Sequence, residues 1–89
     1  MRNTVYRRAV DLMEASLGDE LVALDVRAGQ CFGFNGVATS VWRWLEQPKS
    51  FEQLHDALLA DYDVGSDQCL GELAELLDDL VSKGLVVRG

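Results

Sequence analysis

Basic charge, histidine, proline and closely spaced cysteine are all scarce in this 89-residue chain, which has eight Lys and Arg against fifteen Asp and Glu, one histidine, one proline and two cysteines. Each shortage removes a class of function. Arg2, Arg7 and Arg8 carry all the charge of the first eight residues, leaving residues 9–89 with five basic and fifteen acidic groups. A body of that sign repels phosphate backbones and anionic lipid, so nucleic acid and membrane surfaces are poor partners. No apolar run approaches the roughly 20 residues of a membrane span. The first residues lack the apolar stretch of a secretory signal, so a cytoplasmic location is expected. Cys31 and Cys69 are then expected to be reduced. They stand without the close companions that structural zinc requires, and both read as small core hydrophobes.

Catalytic chemistry finds little to work with. His55 adjoins Leu54 on a helical pattern and reads as a partly buried structural residue rather than a general base, and no nucleophile motif accompanies it. Asp78 and Asp79 point about 100° apart on a helix, so they cannot share a substrate as a carboxylate pair does. The window from Asp61 to Glu72 resembles a calcium loop but has Ser66 where the sharp turn needs glycine, and Gly65 where a ligand is needed. The expectation is a non-enzymatic protein with no metal and no cofactor.

What is present is enough for one small domain, able to bury roughly 60–65% of the surface its unfolded chain exposes. Residues 1–8 read as a flexible basic arm and residues 9–89 as the folded domain. Val10 to Ala15 and Leu21 to Val26 are apolar-rich runs separated by Ser16-Leu17-Gly18-Asp19, and a second turn, Arg27-Ala28-Gly29-Gln30, leads into Cys31-Phe32-Gly33-Phe34. These predict a three-stranded antiparallel meander. Asn35 is placed to cap a helix over Gly36 to Leu45, with Val37, Val41, Trp44 and Leu45 on one side, and Pro48 ends it. Ser50 and Gln53 form a capping box for a second helix whose buried stripe is Phe51, Leu54, Leu58, Leu59 and Tyr62. Ser66 or Asp67 caps a third, longest helix running to about Lys83, with Gly84 at the left-handed position beyond it. The fold class is α+β, winged-helix-like: a three-stranded antiparallel sheet followed by three helices.

The third helix is the informative element. Its apolar set, from Cys69 and Leu70 through Leu80 and Val81, spans about 160° of circumference, against the roughly 100° that facing one core requires. Either the helix is buried on two sides or one edge lines a groove. A winged-helix fold raises the alternative of a DNA-binding regulator, but residues 66–83 hold five acidic groups and one lysine, which opposes insertion between phosphates. An acidic protein–protein interaction module is a further alternative. Peptide binding remains. Cys31 to Phe34 is the last strand of the meander and hence a sheet edge, with Phe32 and Phe34 projecting to one side and bare Gly33 leaving room for close backbone approach.

The run Leu24-Asp25-Val26-Arg27-Ala28-Gly29-Gln30-Cys31-Phe32-Gly33-Phe34-Asn35, then Val41-Trp42, then Leu58 to Val64, Cys69 and Lys83-Gly84-Leu85-Val86, resembles the PqqD-like family over roughly residues 20–87. That family comprises leader-peptide recognition domains of ribosomal peptide natural-product pathways, including the chaperone of pyrroloquinoline quinone biosynthesis and stand-alone proteins of lasso-peptide clusters. The resemblance implies three strands followed by three helices. It implies an adaptor without catalytic activity that binds the leader of a precursor peptide and delivers it to a modifying enzyme, such as a radical-SAM enzyme, or to a leader protease. It also implies a leader added as a strand to the third strand, in a cleft closed by the third helix. On this chain that implicates Cys31, Phe32, Gly33 and Phe34, with Leu70, Leu73, Ala74 and Leu77 as the expected helix edge. Cys31 stands where the family often has tyrosine and Phe34 where it often has leucine, so the accepted leader sequence does not transfer. Oligomeric state is left open.

Overall fold

The computed structural model describes residues 3–89. In chain order the elements are β1 (Val5–Arg8), β2 (Met13–Leu17), β3 (Glu20–Asp25), β4 (Gln30–Phe34), α1 (Gly36–Trp44), β5 (Lys49–Ser50), α2 (Phe51–Asp61), α3 (Ser66–Ser82) and β6 (Val86–Arg88). The expected α+β meander is present as the antiparallel sheet β2-β3-β4. In β3, Leu21 and Ala23 are buried while Glu20, Val22 and Leu24 face outward, the period-two pattern of a strand with one wet face. The first hairpin is tighter than expected. Leu17 pairs with Glu20, so the turn is Gly18-Asp19 alone, and Gly18 takes the positive φ of 66° that this two-residue connection demands.

Helix ends follow their caps. The Asn35 side chain accepts from the Ala38 N–H at 2.9 Å, and Ser50 and Gln53 close the reciprocal capping box. The start of α3 departs from expectation: Gly65 occupies the cap position with no side-chain hydrogen bond, and Ser66 is already helical. Gly84 (φ 75°) ends α3, and the Leu85 N–H bonds back to the Leu80 carbonyl. On α1 the fully buried ring is Trp42 rather than Trp44, which is only half-buried, because the sheet meets the helix face carrying Ala38, Val41, Trp42 and Leu45. Those residues join Phe51, Leu54, Leu58, Cys69, Leu73, Leu77 and Leu80 in one core.

The largest departure lies at the N-terminus. Residues 1–8 were expected as a flexible arm, yet Val5–Arg8 is the middle strand of a second sheet, ordered β5-β1-β6; Arg2 lies outside the described residues. One inward aromatic is enough to seat so short a strand, and Tyr6 is buried in the core. Arg8 then behaves as an amphipathic residue rather than a solvated charge. Its guanidinium lies 4.2 Å from the Trp42 ring centroid and its Nε donates to the Trp42 carbonyl at 3.2 Å. Glu14 on β2 completes the clasp by accepting from the Trp42 indole N–H at 3.0 Å. The cluster therefore ties β1, β2 and α1 together.

Candidate functional site

β4 pairs with β3 on one side only, in the register Leu21–Phe34, Ala23–Phe32 and Asp25–Gln30. Among the described residues no strand covers its other edge. Which backbone groups face that rim follows from the hairpin. A two-residue turn closes on a hydrogen-bonded pair, here Leu17–Glu20, so residues 20, 22 and 24 of β3 aim their amides at β2 and residues 21, 23 and 25 aim theirs at β4. On β4, Gln30, Phe32 and Phe34 answer β3. Cys31 and Gly33 turn their N–H and C=O groups outward, so the rim offers two donors and two acceptors.

Side chains alternate with the backbone. Phe34 is buried with its ring 5.6 Å from that of Trp42, and Phe32 is half-buried on the same face, so the two rings fix the strand to the core. Cys31 and Gly33 occupy the opposite, exposed face. Cys31 is therefore not the core hydrophobe expected from its residue type, whereas Cys69 is. A Cβ added at Gly33 would meet nothing within 4 Å, so the space beside it is open.

That space belongs to a depression of about 600 Å³ lined by Gln30, Cys31, Phe32, Gly33, Ser82 and Lys83, that is, by β4 and the C-terminal end of α3. The chain's own final strand does not fill it, because β6 pairs with β1 on the other sheet. The third helix thus forms the second wall, but through a different edge than expected. Leu73 and Leu77 are 1% and 0% exposed and serve the core, Ala74 is half-buried against it, and Leu70 is 38% exposed. None of the four lines the depression. The reason is the second sheet: Arg88 on β6 reaches Asp78 at 2.9 Å, so the Ala74 flank of α3 turns towards β6 and the wide apolar arc serves two-sided burial. On α3 the depression is lined by Ser82 and Lys83 alone. Lys83 is already paired with Asp79 at 2.8 Å, and Gln68 donates to Glu72 at 3.2 Å. Ser82, Lys83 and Gln30 escaped sequence reasoning because no residue pattern announces where two distant segments approach.

Burial, followed by the neighbouring Glu72 charge, raises the Cys69 thiol above its ordinary pKa, which keeps it neutral and unreactive. The imidazole Nε2 of His55 lies 3.2 Å from the Ser66 carbonyl and its ring stacks on Phe51, a structural role as expected. Among the described residues no three His, Cys, Asp or Glu side chains converge to hold a metal, and no helix is long and apolar enough to cross a membrane. The arrangement offers one specific chemical opportunity, backbone pairing with an extended chain beside an open depression.

Comparisons with known proteins agree in family and fold. The family described as Coenzyme PQQ synthesis protein D (PqqD) matches residues 20–86. The structure of TbiB1 in complex with the TbiA(beta) leader peptide is 30% identical and superposes with a TM-score of 0.79, covering 90% of this chain and 93% of that one. A lasso peptide synthetase B1 complexed with its leader peptide is 23% identical, with a TM-score of 0.74 and coverage of 92% and 96%, and bears on the fold. No curated protein matches.

Proposed function

We propose, from the premise that this chain belongs to the PqqD family, that it is the leader-peptide-binding partner of a ribosomal peptide pathway and works without catalytic groups of its own. The observation that carries the reading is the free rim of β4, with the outward amides of Cys31 and Gly33 standing over the groove walled by Ser82 and Lys83. Two relatives of the same fold were solved with leader peptides bound, which supports the same class of ligand here. An extended leader pairs with Cys31 and Gly33 as a fourth strand, while its alternate side chains drop towards Phe32 and the α3 wall. Each backbone bond nets only about 1 kcal/mol, so the side chains that enter the groove decide affinity.

Delivery follows from tethering. A leader held at the rim keeps the rest of its precursor close to any enzyme docked elsewhere on the domain, which raises the effective concentration of the reacting segment without an active site. The enzyme served is a modifying enzyme or a leader protease, and the likeness to TbiB1 favours the lasso-peptide setting.

The test is Gly33→Pro, titrated calorimetrically with the leader of a precursor encoded alongside this chain. Proline removes an outward donor and adds a ring at the rim, while the ladder to β3 runs through the neighbouring residues and survives. Affinity is expected to fall about tenfold or more, the loss of a bond plus a steric block, with an unchanged circular dichroism spectrum. Unaltered affinity refutes strand addition at β4.

A further inference from the structure

The sheet that carries β4 has a second open edge: among the described residues β2 pairs with β3 alone, so its outer side is uncovered too. Edge strands are commonly guarded by lysine, proline, a bulge or an inward-pointing charge. β2, Met13-Glu14-Ala15-Ser16-Leu17, has no lysine or proline, and it pairs with β3 residue for residue without a bulge. Its one charge faces inward and is already satisfied, since Glu14 accepts from the Trp42 indole N–H and lies 3.7 Å from the Arg8 guanidinium. On the outer face Met13 and Leu17 are 65% and 64% exposed. The edge is therefore open, regular and apolar on its wet side.

It is also complementary to itself. By the hairpin rule that orients β4, Met13, Ala15 and Leu17 aim their amides at β3, so Glu14 and Ser16 aim theirs outward. A second copy turned about a two-fold axis at Ala15 sets Glu14 opposite the partner's Ser16, and Ser16 opposite the partner's Glu14. Both are hydrogen-bonded pairs, exchanging four backbone bonds between them. On the outer face Met13 meets the partner's Leu17, and Ala15 meets the partner's Ala15; the row Gly33, Val22, Ala15 then continues into its own mirror order without a charge. On the inner face Arg43 donates to Ser16 Oγ at 3.0 Å, and so stands beside the place that the partner's Glu14 takes. Other registers lose this match. Sliding the copies one pairing step sets two Glu14 carboxylates face to face, which like charges oppose, and sliding them the other way carries Met13 past the end of the partner strand.

We infer that this chain associates with a second copy of itself through β2, joining two three-stranded sheets into one ordered β4-β3-β2-β2-β3-β4. The inference stands independently of the leader-binding reading and is compatible with it. Both β4 rims stay open at the far ends of the joined sheet, five strand spacings or about 24 Å apart, so one dimer presents two peptide-pairing edges on opposite sides.

Analytical ultracentrifugation of the full chain, at concentrations up to about 1 mM, provides the test. It is run in about 0.15 M salt, which screens the repulsion between two bodies of net charge −7, and with a reducing agent because Cys31 is exposed. The parent mass is expected to rise with concentration towards twice that of the chain. Ala15→Lys and Ala15→Glu each set like charges opposite one another at the axis, at an exposed position, and each alone is expected to stay monomeric. An equimolar mixture of the two should recover the dimer. Thermal melts confirm that the variants fold; should either fail, Arg43→Glu, at another exposed position, is expected to weaken association at least tenfold, and undiminished association in it overturns the inference. Gly33→Pro should dimerise as the parent does. A parent that stays monomeric throughout, a charge variant that dimerises alone, or a mixture that stays monomeric also overturns pairing through β2, and each leaves the leader-binding reading intact. A dimer lost in Gly33→Pro but kept in the Ala15 variants moves the contact to the β4 rim and overturns it as well.

Discussion

The two cysteines show how far residue type alone carries. Both are small and apolar enough for a core, yet Cys69 is buried and Cys31 is exposed on the outer face of β4. An alkylating reagent under native conditions is expected to modify Cys31 fully and Cys69 only after unfolding, as mass spectrometry of the separated peptides would show. The raised pKa of Cys69 fixes the sign of a pH effect. The folded state holds the thiol proton more tightly than the unfolded chain, so this stabilisation is complete below the ordinary thiol pKa and is lost as pH rises through and beyond it. A urea midpoint that falls above about pH 9 in the parent but less steeply in Cys69→Ala would report it.

At the scale of elements, the capping box on α2 offers a quantitative check. Ser50→Ala removes the acceptor for the Gln53 N–H at 3.1 Å and should lower stability by about 1 kcal/mol, read as a shift in denaturation midpoint with an unchanged slope. Elements like this one were legible in the sequence because their signals are local. Ser50 with Gln53, Asn35 before Gly36 and the alternation around Leu21 and Ala23 each lie within a few residues of the structure they specify. β1 was not legible: its partners, Lys49–Ser50 and Val86–Arg88, lie more than forty and about eighty residues away in sequence and are two or three residues long. The same blindness explains why none of the four expected α3 residues lines the depression beside β4. The arc containing Leu70, Leu73, Ala74 and Leu77 reads as surplus for a helix facing one core, and becomes ordinary once β6 packs on the far flank. On the strand the rim itself was foreseen, because Cys31-Phe32-Gly33-Phe34 ends the meander and an end strand has a free side.

For the molecule as a whole, the segment expected to be a flexible arm contributes the strand Val5–Arg8. Deleting residues 1–8 removes the central strand of the β5-β1-β6 sheet, the buried Tyr6 ring and the Arg8 contact to Trp42. Loss of a large buried aromatic alone costs on the order of 3–5 kcal/mol, a large part of what a domain this size possesses. The truncated chain is expected to lose its cooperative melt, followed by near-ultraviolet circular dichroism; a retained transition at the parent temperature would restore the view of a passive arm. That strand also brings Val5 and Gly89 together. The Gly89 N–H donates to the Val5 carbonyl at 2.9 Å, on a different sheet from β4. Such a domain can be spliced into a loop of a larger enzyme as a cassette, entering and leaving through adjacent strands. The host would not need to route either junction across the rim of β4.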